Sequence, residues 1–298
     1  MEKPFRGVFT ALVTPFDSQG QVDEPTLRKS IEFQIENGID GLVPCGTTGE
    51  SPTLSHEEND RVIEITIEQV NNRVPVIAGT GSNSTNEAIR MSRHAMDAGA
   101  SGVLIVNPYY NKPTQKGLFL HFREIANAID IPCVIYNIKG RTAVNLETDT
   151  LVNLAKECAN ITAVKEASGD IEQMRDVIAR TQGNFSVLSG DDNMVLELIE
   201  AGGDGIISVA SNLIPDRMVK LVHTALDGDH SKAREMGSVL EAFFSVLFLE
   251  TNPIPIKTAM AMAGHCLESF RLPMCTLSTD EQRQKVASVI REIGIEIV

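Results

Sequence analysis

Hydrophobic positions along the chain alternate between two patterns: short, nearly continuous apolar runs, and longer stretches in which apolar residues recur at helical spacing. The runs are GVFTALVTP (7–15), GLVPCG (41–46), VPVIAGTG (74–81), GVLIVNPYY (102–110), PCVIYN (132–137), ITAVKEA (161–167), FSVLSG (185–190) and GIISVAS (205–211). Because most of them lack strict apolar–polar alternation, they suit strands of a parallel sheet covered by helices. The stretches between them carry helix start signals. Asp23 precedes EPTLRKSIEF, and Ser55 and Ser84 are followed three residues later by Glu58 and Glu87, the spacing of a capping box. Gly38, Gly99 and Gly202 stand where a helix must stop and turn back.

Eight strand–helix alternations in about 230 residues predict a (β/α)8 TIM barrel, an α/β fold, over a doubly wound open sheet. No G-x-G-x-x-G follows the first strand, as a dinucleotide-binding sheet would require. From residue 230 helical segments succeed one another (SKAREMGSVLEAFFSVLFLE, PIKTAMAMAGHCLE, TDEQRQKVASVIREIG). The expected division is a catalytic barrel over 1–229 and an α-helical C-terminal extension over 230–298.

Composition narrows the function classes. With 298 residues and 42% hydrophobic content the chain can bury a large core, and its formal charge of −14 disfavours nucleic acid or an anionic membrane as partner. The five cysteines are odd in number and form no C-x-x-C pair, which predicts reduced thiols and no zinc site. MEKPFRG has no apolar signal core, and no stretch approaches the roughly 18 apolar residues of a membrane span, so a cytoplasmic location is expected.

In such a barrel the site forms at the C-terminal ends of the strands. The residues found there are Gly46-Thr47-Thr48-Gly49-Glu50, Tyr109-Tyr110, Tyr136-Asn137, Lys165-Glu166 and Ser189-Gly190-Asp191. Lys165 interrupts the apolar run I-T-A-V. A lysine in low dielectric loses its ammonium form more readily, so its amine can attack a ketone near neutral pH. The plainer alternative is a solvated lysine with its stem packed on the barrel. Tyr136 can shuttle protons through Thr47 and Tyr110, although each alone suits a turn or a core residue with a wet hydroxyl. The Gly-Thr-Thr-Gly turn offers backbone N–H groups and hydroxyls for a small carboxylate, and Arg141 can grip a second one, unless it is a surface loop arginine. His94, His121 and His223 fall within helical patterns without a ligand partner at i+4, and Cys45 lacks a base, so neither metal nor thiolate chemistry is expected.

Taken together, GTTGE (46–50), NPYYNKPTQ (107–115), YNIKGRT (136–142), VKEASGD (164–170), LSGDD (188–192), GIISVAS (205–211) and NPIPIK (252–257) resemble the dihydrodipicolinate synthase family of pyruvate-dependent lyases. The resemblance runs from near the start through RLPM (271–274). It implies that Lys165 forms an imine with pyruvate, that Thr48 holds the pyruvate carboxylate, and that Tyr136, Thr47 and Tyr110 form a proton relay. Tyr110 would be supplied across a subunit contact, in a homotetramer built as a dimer of dimers. Arg141 would bind L-aspartate 4-semialdehyde, and the Gly190 and Ile207 backbones would line the site. The implied reaction condenses the two substrates to 4-hydroxy-tetrahydrodipicolinate, toward diaminopimelate and lysine, without a cofactor or metal.

Two positions depart from the family pattern. Lys139 stands where the family usually has proline, which frees φ and adds a charge beside Arg141. Ser51, His56, Asn59, Asn83, Glu87 and Tyr109 match the lysine-binding site of feedback-inhibited relatives, with Asn59 in place of the usual histidine or acid. Two other readings stay open: a pyruvate-releasing aldolase of a 2-keto-3-deoxy sugar acid or of N-acetylneuraminate, and a non-catalytic barrel that binds a keto acid.

Overall fold

The computed structural model of the chain describes residues 3–181 and 183–298. Its eight strands are β1 (Gly7–Ala11), β2 (Gly41–Val43), β3 (Ile77–Gly79), β4 (Gly102–Val106), β5 (Cys133–Asn137), β6 (Ile161–Glu166), β7 (Ser186–Ser189) and β8 (Gly205–Ser208). Each falls inside one of the eight apolar runs. They pair in parallel in the order β2-β1-β8-β7-β6-β5-β4-β3, and a bridge between Leu42 and Val76 joins the two ends of that sheet. The fold is a TIM barrel, as the alternation predicts. The first run outlasts its strand because the residues that follow are buried at the barrel mouth: Leu12 and Val13 are sealed, and the Leu12 amide still donates to the Val43 carbonyl at 3.0 Å.

Helices follow the strands: α1 (Glu24–Glu36), α2 (His56–Val70), α3 (Thr85–Asp97), α4 (Gln115–Ala126), the single turn α5 (Lys139–Thr142), α6 (Thr148–Glu157), α7 (Ile171–Arg180), α8 (Val195–Glu200) and α9 (Pro215–Leu226). Asp23 caps α1 through the Thr26 amide, and Ser55 with Glu58 forms a complete capping box on α2. The expected box on α3 is absent. The Ser84 side chain makes no cap bond, and Glu87 instead accepts a hydrogen bond from the Ser82 hydroxyl at 2.7 Å, a competing donor that lines the same cavity. Gly38, Gly99 and Gly202 end their helices at φ of +80°, +97° and +102°, a region that costs glycine little.

Two hydrophobic layers hold the barrel. Inside it, every strand contributes at least one side chain to a common cluster, among them Phe9, Val43, Ile77, Leu104, Val134, Ala163, Leu188 and Ile207. Outside it, a larger core fills the space between strands and helices. The period of two along a strand carries the inward direction from Val134 to Tyr136 and from Ala163 to Lys165, which places both functional groups at the mouth. The chain closes with α10 (His230–Val246), α11 (Ile254–Met262) and α12 (Asp280–Glu292), a helical extension in which α10 packs on α8 and α9, and α11 on α12. Among the described residues no helix is long and apolar enough to cross a membrane.

Candidate active site

The centre of the site follows from strand register. Tyr136 on β5 stands directly opposite Lys165 on β6, and the Lys165 Nζ lies 4.3 Å from the centroid of the tyrosine ring. Lys165 is only 5% exposed and enters no ion pair among the described residues. Burial therefore pulls its pKa down to about 7; the Asp192 carboxylate opposes that shift and the Arg141 guanidinium adds to it. Such an amine is largely neutral just above pH 7 and nucleophilic.

Glycine makes room for it. A Cβ on Gly190 would sit 3.0 Å from the Lys165 Cε and 2.7 Å from the Ala167 Cβ, closer than packed carbons come. Burial also pushes the Tyr136 phenol up to about 12, partly offset by the Arg141 charge and the Thr47 hydroxyl, so the phenol stays protonated near neutral pH and can hand a proton on. Asp192, raised to about 6 by burial, accepts hydrogen bonds from the Ser208 hydroxyl at 2.6 Å and from the Val209 and Ala210 amides at 3.1 and 3.0 Å. Glu166 follows Lys165 and so faces the other side of the strand. There Asn137 donates to its two oxygens at 3.2 Å and the Ser168 amide donates at 2.8 Å, which ties the ends of β5 and β6 together outside the barrel.

The turn after β2 is bounded by two left-handed residues, Cys45 at φ +56° and Glu50 at φ +52°. Not all its amides are free for a ligand, contrary to what its composition suggests. Gly49 and Glu50 donate to the Gly46 and Thr47 carbonyls at 3.1 Å, so Thr47 and Thr48 carry the remaining capacity. The Thr48 hydroxyl is buried and accepts from the Asn252 side-chain amide at 3.0 Å. Arg141, on α5, is exposed and donates to the Asn252 carbonyl at 2.9 Å. Cys45 is buried with its thiol pushed far up by desolvation, which leaves it inert as a nucleophile.

A cavity of about 400 Å³ opens at this mouth. Thr47, Tyr136 and Arg141 line it on one side, and Ser51, His56, Asn59, Glu87 and Tyr109 on the other. Lys165 and Thr48 are buried and are not among the residues that line it. Asn83 stands beside it and donates to the Tyr109 carbonyl at 3.1 Å. Ile207 belongs to the barrel's inner core, where its side chain is fully buried. Tyr110 is 91% exposed and stands at φ +72°, outside the cavity of its own chain. No cluster of three metal-ligating side chains occurs among the described residues.

Three contributors escape a reading confined to strand ends: Asp192, Asn252 and Lys257, whose ammonium lies 2.7 Å from the Glu50 carboxylate. Their signal in the sequence is a polar residue inside an otherwise apolar segment, such as the asparagine and lysine of NPIPIK. Which partner each one meets is a matter of long-range folding, 204 residues apart for Asn252 and Thr48.

Similarity to known proteins agrees with this geometry. The model of the dihydrodipicolinate synthetase family matches residues 4–293. The 4-hydroxy-tetrahydrodipicolinate synthase of Syntrophus aciditrophicus (strain SB) is 53% identical, over 98% of this chain and 99% of its own. The crystal structure of dihydrodipicolinate synthase from Aquifex aeolicus superposes with a TM-score of 0.97 at 46% identity, covering 98% of this chain and 99% of that one. A structure of the enzyme from Cyanidioschyzon merolae with lysine bound gives a TM-score of 0.96 at 38% identity, covering 99% and 100%. The chain belongs to the dihydrodipicolinate synthetase family.

Proposed function

We propose that this protein is a 4-hydroxy-tetrahydrodipicolinate synthase, a Schiff-base-forming lyase that condenses pyruvate with L-aspartate 4-semialdehyde. The observation that carries the reading is the buried, unpaired Lys165 amine, brought to a pKa of about 7 and set over the Tyr136 ring. The neutral amine adds to the pyruvate ketone, and a proton relayed by Tyr136 and Thr47 lets the hydroxyl leave as water, giving the imine. Loss of a methyl proton gives the enamine, whose carbon attacks the aldehyde of the second substrate. That substrate's own amine then displaces Lys165 and closes the ring, so the lysine returns unchanged. In this scheme Thr48 holds the pyruvate carboxylate, the Gly190 and Ile207 backbones line the site, and Arg141 takes the carboxylate of the semialdehyde. Lys139 adds a second positive charge to the Arg141 loop.

The assembly, the regulation and the location belong to the same proposal. The exposed Tyr110 suits a role in a neighbouring copy's relay, within a homotetramer, and the far side of the cavity suits free lysine as inhibitor through Ser51, His56, Asn59, Asn83, Glu87 and Tyr109. The barrel over 1–229 would act with the extension over 230–298 as one unit in the cytoplasm. The test is borohydride trapping with pyruvate, read by intact mass on wild type and Lys165→Ala, followed by turnover with the semialdehyde. A pyruvate-sized adduct on wild type alone, with turnover, supports the proposal. An adduct without turnover redirects it to cleavage of a sugar acid, and no adduct overturns it.

A further inference from the structure

Asn252 lies in the helical extension, before α11, and among the described residues it is joined to both carboxylate-binding groups of the proposed site. Its side-chain amide donates to the Thr48 hydroxyl at 3.0 Å, and its backbone carbonyl accepts from the Arg141 guanidinium at 2.9 Å. It is buried, and its side-chain oxygen has no hydrogen-bond partner among the described residues. It is the NH2 group of the amide that faces the Thr48 oxygen, and in this orientation the amide serves Thr48 as a donor.

That use has a chemical consequence. A hydroxyl has one proton to give and accepts through its oxygen lone pairs. When Asn252 donates into the Thr48 oxygen, the threonine proton is directed elsewhere. We propose that Asn252 is a positioning residue: it fixes the polarity of the Thr48 hydroxyl as a donor for the pyruvate carboxylate, while its backbone carbonyl aims the Arg141 fork at the second acid. The inference rests on the synthase reading. The two roles belong to different atoms, so they separate under mutation. Side-chain replacement alters the contact with Thr48 and keeps the carbonyl that Arg141 uses.

The experiment titrates pyruvate against borohydride-trapped adduct for wild type, Asn252→Ala, Asn252→Asp, Thr48→Val and the two double variants, with melting curves as a check on folding. Loss of the fixed donor should raise half-saturating pyruvate about tenfold in Asn252→Ala, the scale of one hydrogen bond to a charged group. Asn252→Asp should be worse, since a carboxylate takes the Thr48 proton for itself. A residue with only a packing role would show the opposite order, because aspartate keeps the shape that alanine loses. In the Thr48→Val background Asn252→Ala should add nothing, and the KM for the semialdehyde should stay near wild type in Asn252→Ala. Unchanged half-saturation in both single variants, an equal effect of Asn252→Ala with and without Thr48, or a milder Asp than Ala variant overturns the inference alone. Absence of adduct on the wild type overturns the synthase reading and this inference with it.

Discussion

Lys165 and Lys257 are the two buried lysines among the described residues, 5% and 0% exposed, and the protein uses them in opposite ways. Lys257 reaches out of α11 to Glu50 at 2.7 Å and lies over the Phe16 and Phe270 rings, 4.1 and 5.1 Å from their centroids. Burial lowers its pKa, yet the Glu50 carboxylate opposes that shift and gives the ammonium a partner. Lys165 is paired with no carboxylate, so burial is not balanced and the neutral amine becomes accessible. A lysine in low dielectric is thus a clamp or a nucleophile according to its partner. The two are also connected, since Glu50 ends the turn that carries Thr47 and Thr48. Arg271 reinforces the same region from the extension, donating to the Thr53 carbonyl at 3.0 Å and pairing with Glu58 at 2.6 Å.

Exchanging the roles is the direct way to break this contrast. Lys165→Ala should lower turnover by at least about a thousandfold and abolish trapping with pyruvate, because among the described residues no other amine is set over Tyr136. If Lys257 were trapped in that variant, the distinction would fail; peptide mapping of the adduct decides it.

Lys257→Met should cost about 3–5 kcal/mol in denaturant unfolding, since it strands the Glu50 carboxylate in the interior. The double variant Lys257→Met with Glu50→Leu should recover much of that loss, because the uncompensated charge is gone.

Stability should distinguish the lysines in sign as well. The folded pKa of Lys165 lies near 7, below its ordinary 10.5, so the unfolded chain binds more protons between those values and stability rises with pH across that window. Lys165→Met should therefore melt higher than wild type at pH 7 and below, with the advantage shrinking toward pH 10. Melting curves across pH that show a constant difference would count against a buried, unpaired amine.

The smallest effect concerns Asp192. Trapping rate on wild type should rise with pH through about 7 as the amine loses its proton. Asp192→Asn removes the one carboxylate that favours the ammonium, so the midpoint of that rise should move to lower pH. A pH–rate profile with an unmoved midpoint would place the control of Lys165 in burial and Arg141 alone.

Much of this was legible along the chain. All eight apolar runs became strands, since buried parallel strands are apolar on both faces, and the two-residue period then put Tyr136 and Lys165 on the inward side. The capping boxes read less evenly: Ser55 and Glu58 form one, whereas Glu87 has the right spacing but bonds to Ser82, because a nearby hydroxyl competes for its carboxylate. Nothing local in GTTGE says that Gly49 and Glu50 spend their amides inside the turn, or that the Thr48 hydroxyl meets Asn252.

The amino-acid sequence by itself determined the alternation of strands and helices, the net acidic charge, and the presence of a lysine at the end of β6, because periodicity and residue type act over a few positions. Only the tertiary structure decided which buried lysine pairs with a carboxylate, which hydroxyl of the turn accepts from the extension, and which residue of the extension bonds to both Thr48 and Arg141. Those outcomes depend on charges and hydrogen bonds between segments about two hundred residues apart, such as Lys257 with Glu50 and Asn252 with Thr48. A pKa or a hydroxyl's polarity is a property of surroundings, and the surroundings exist only once the chain has folded.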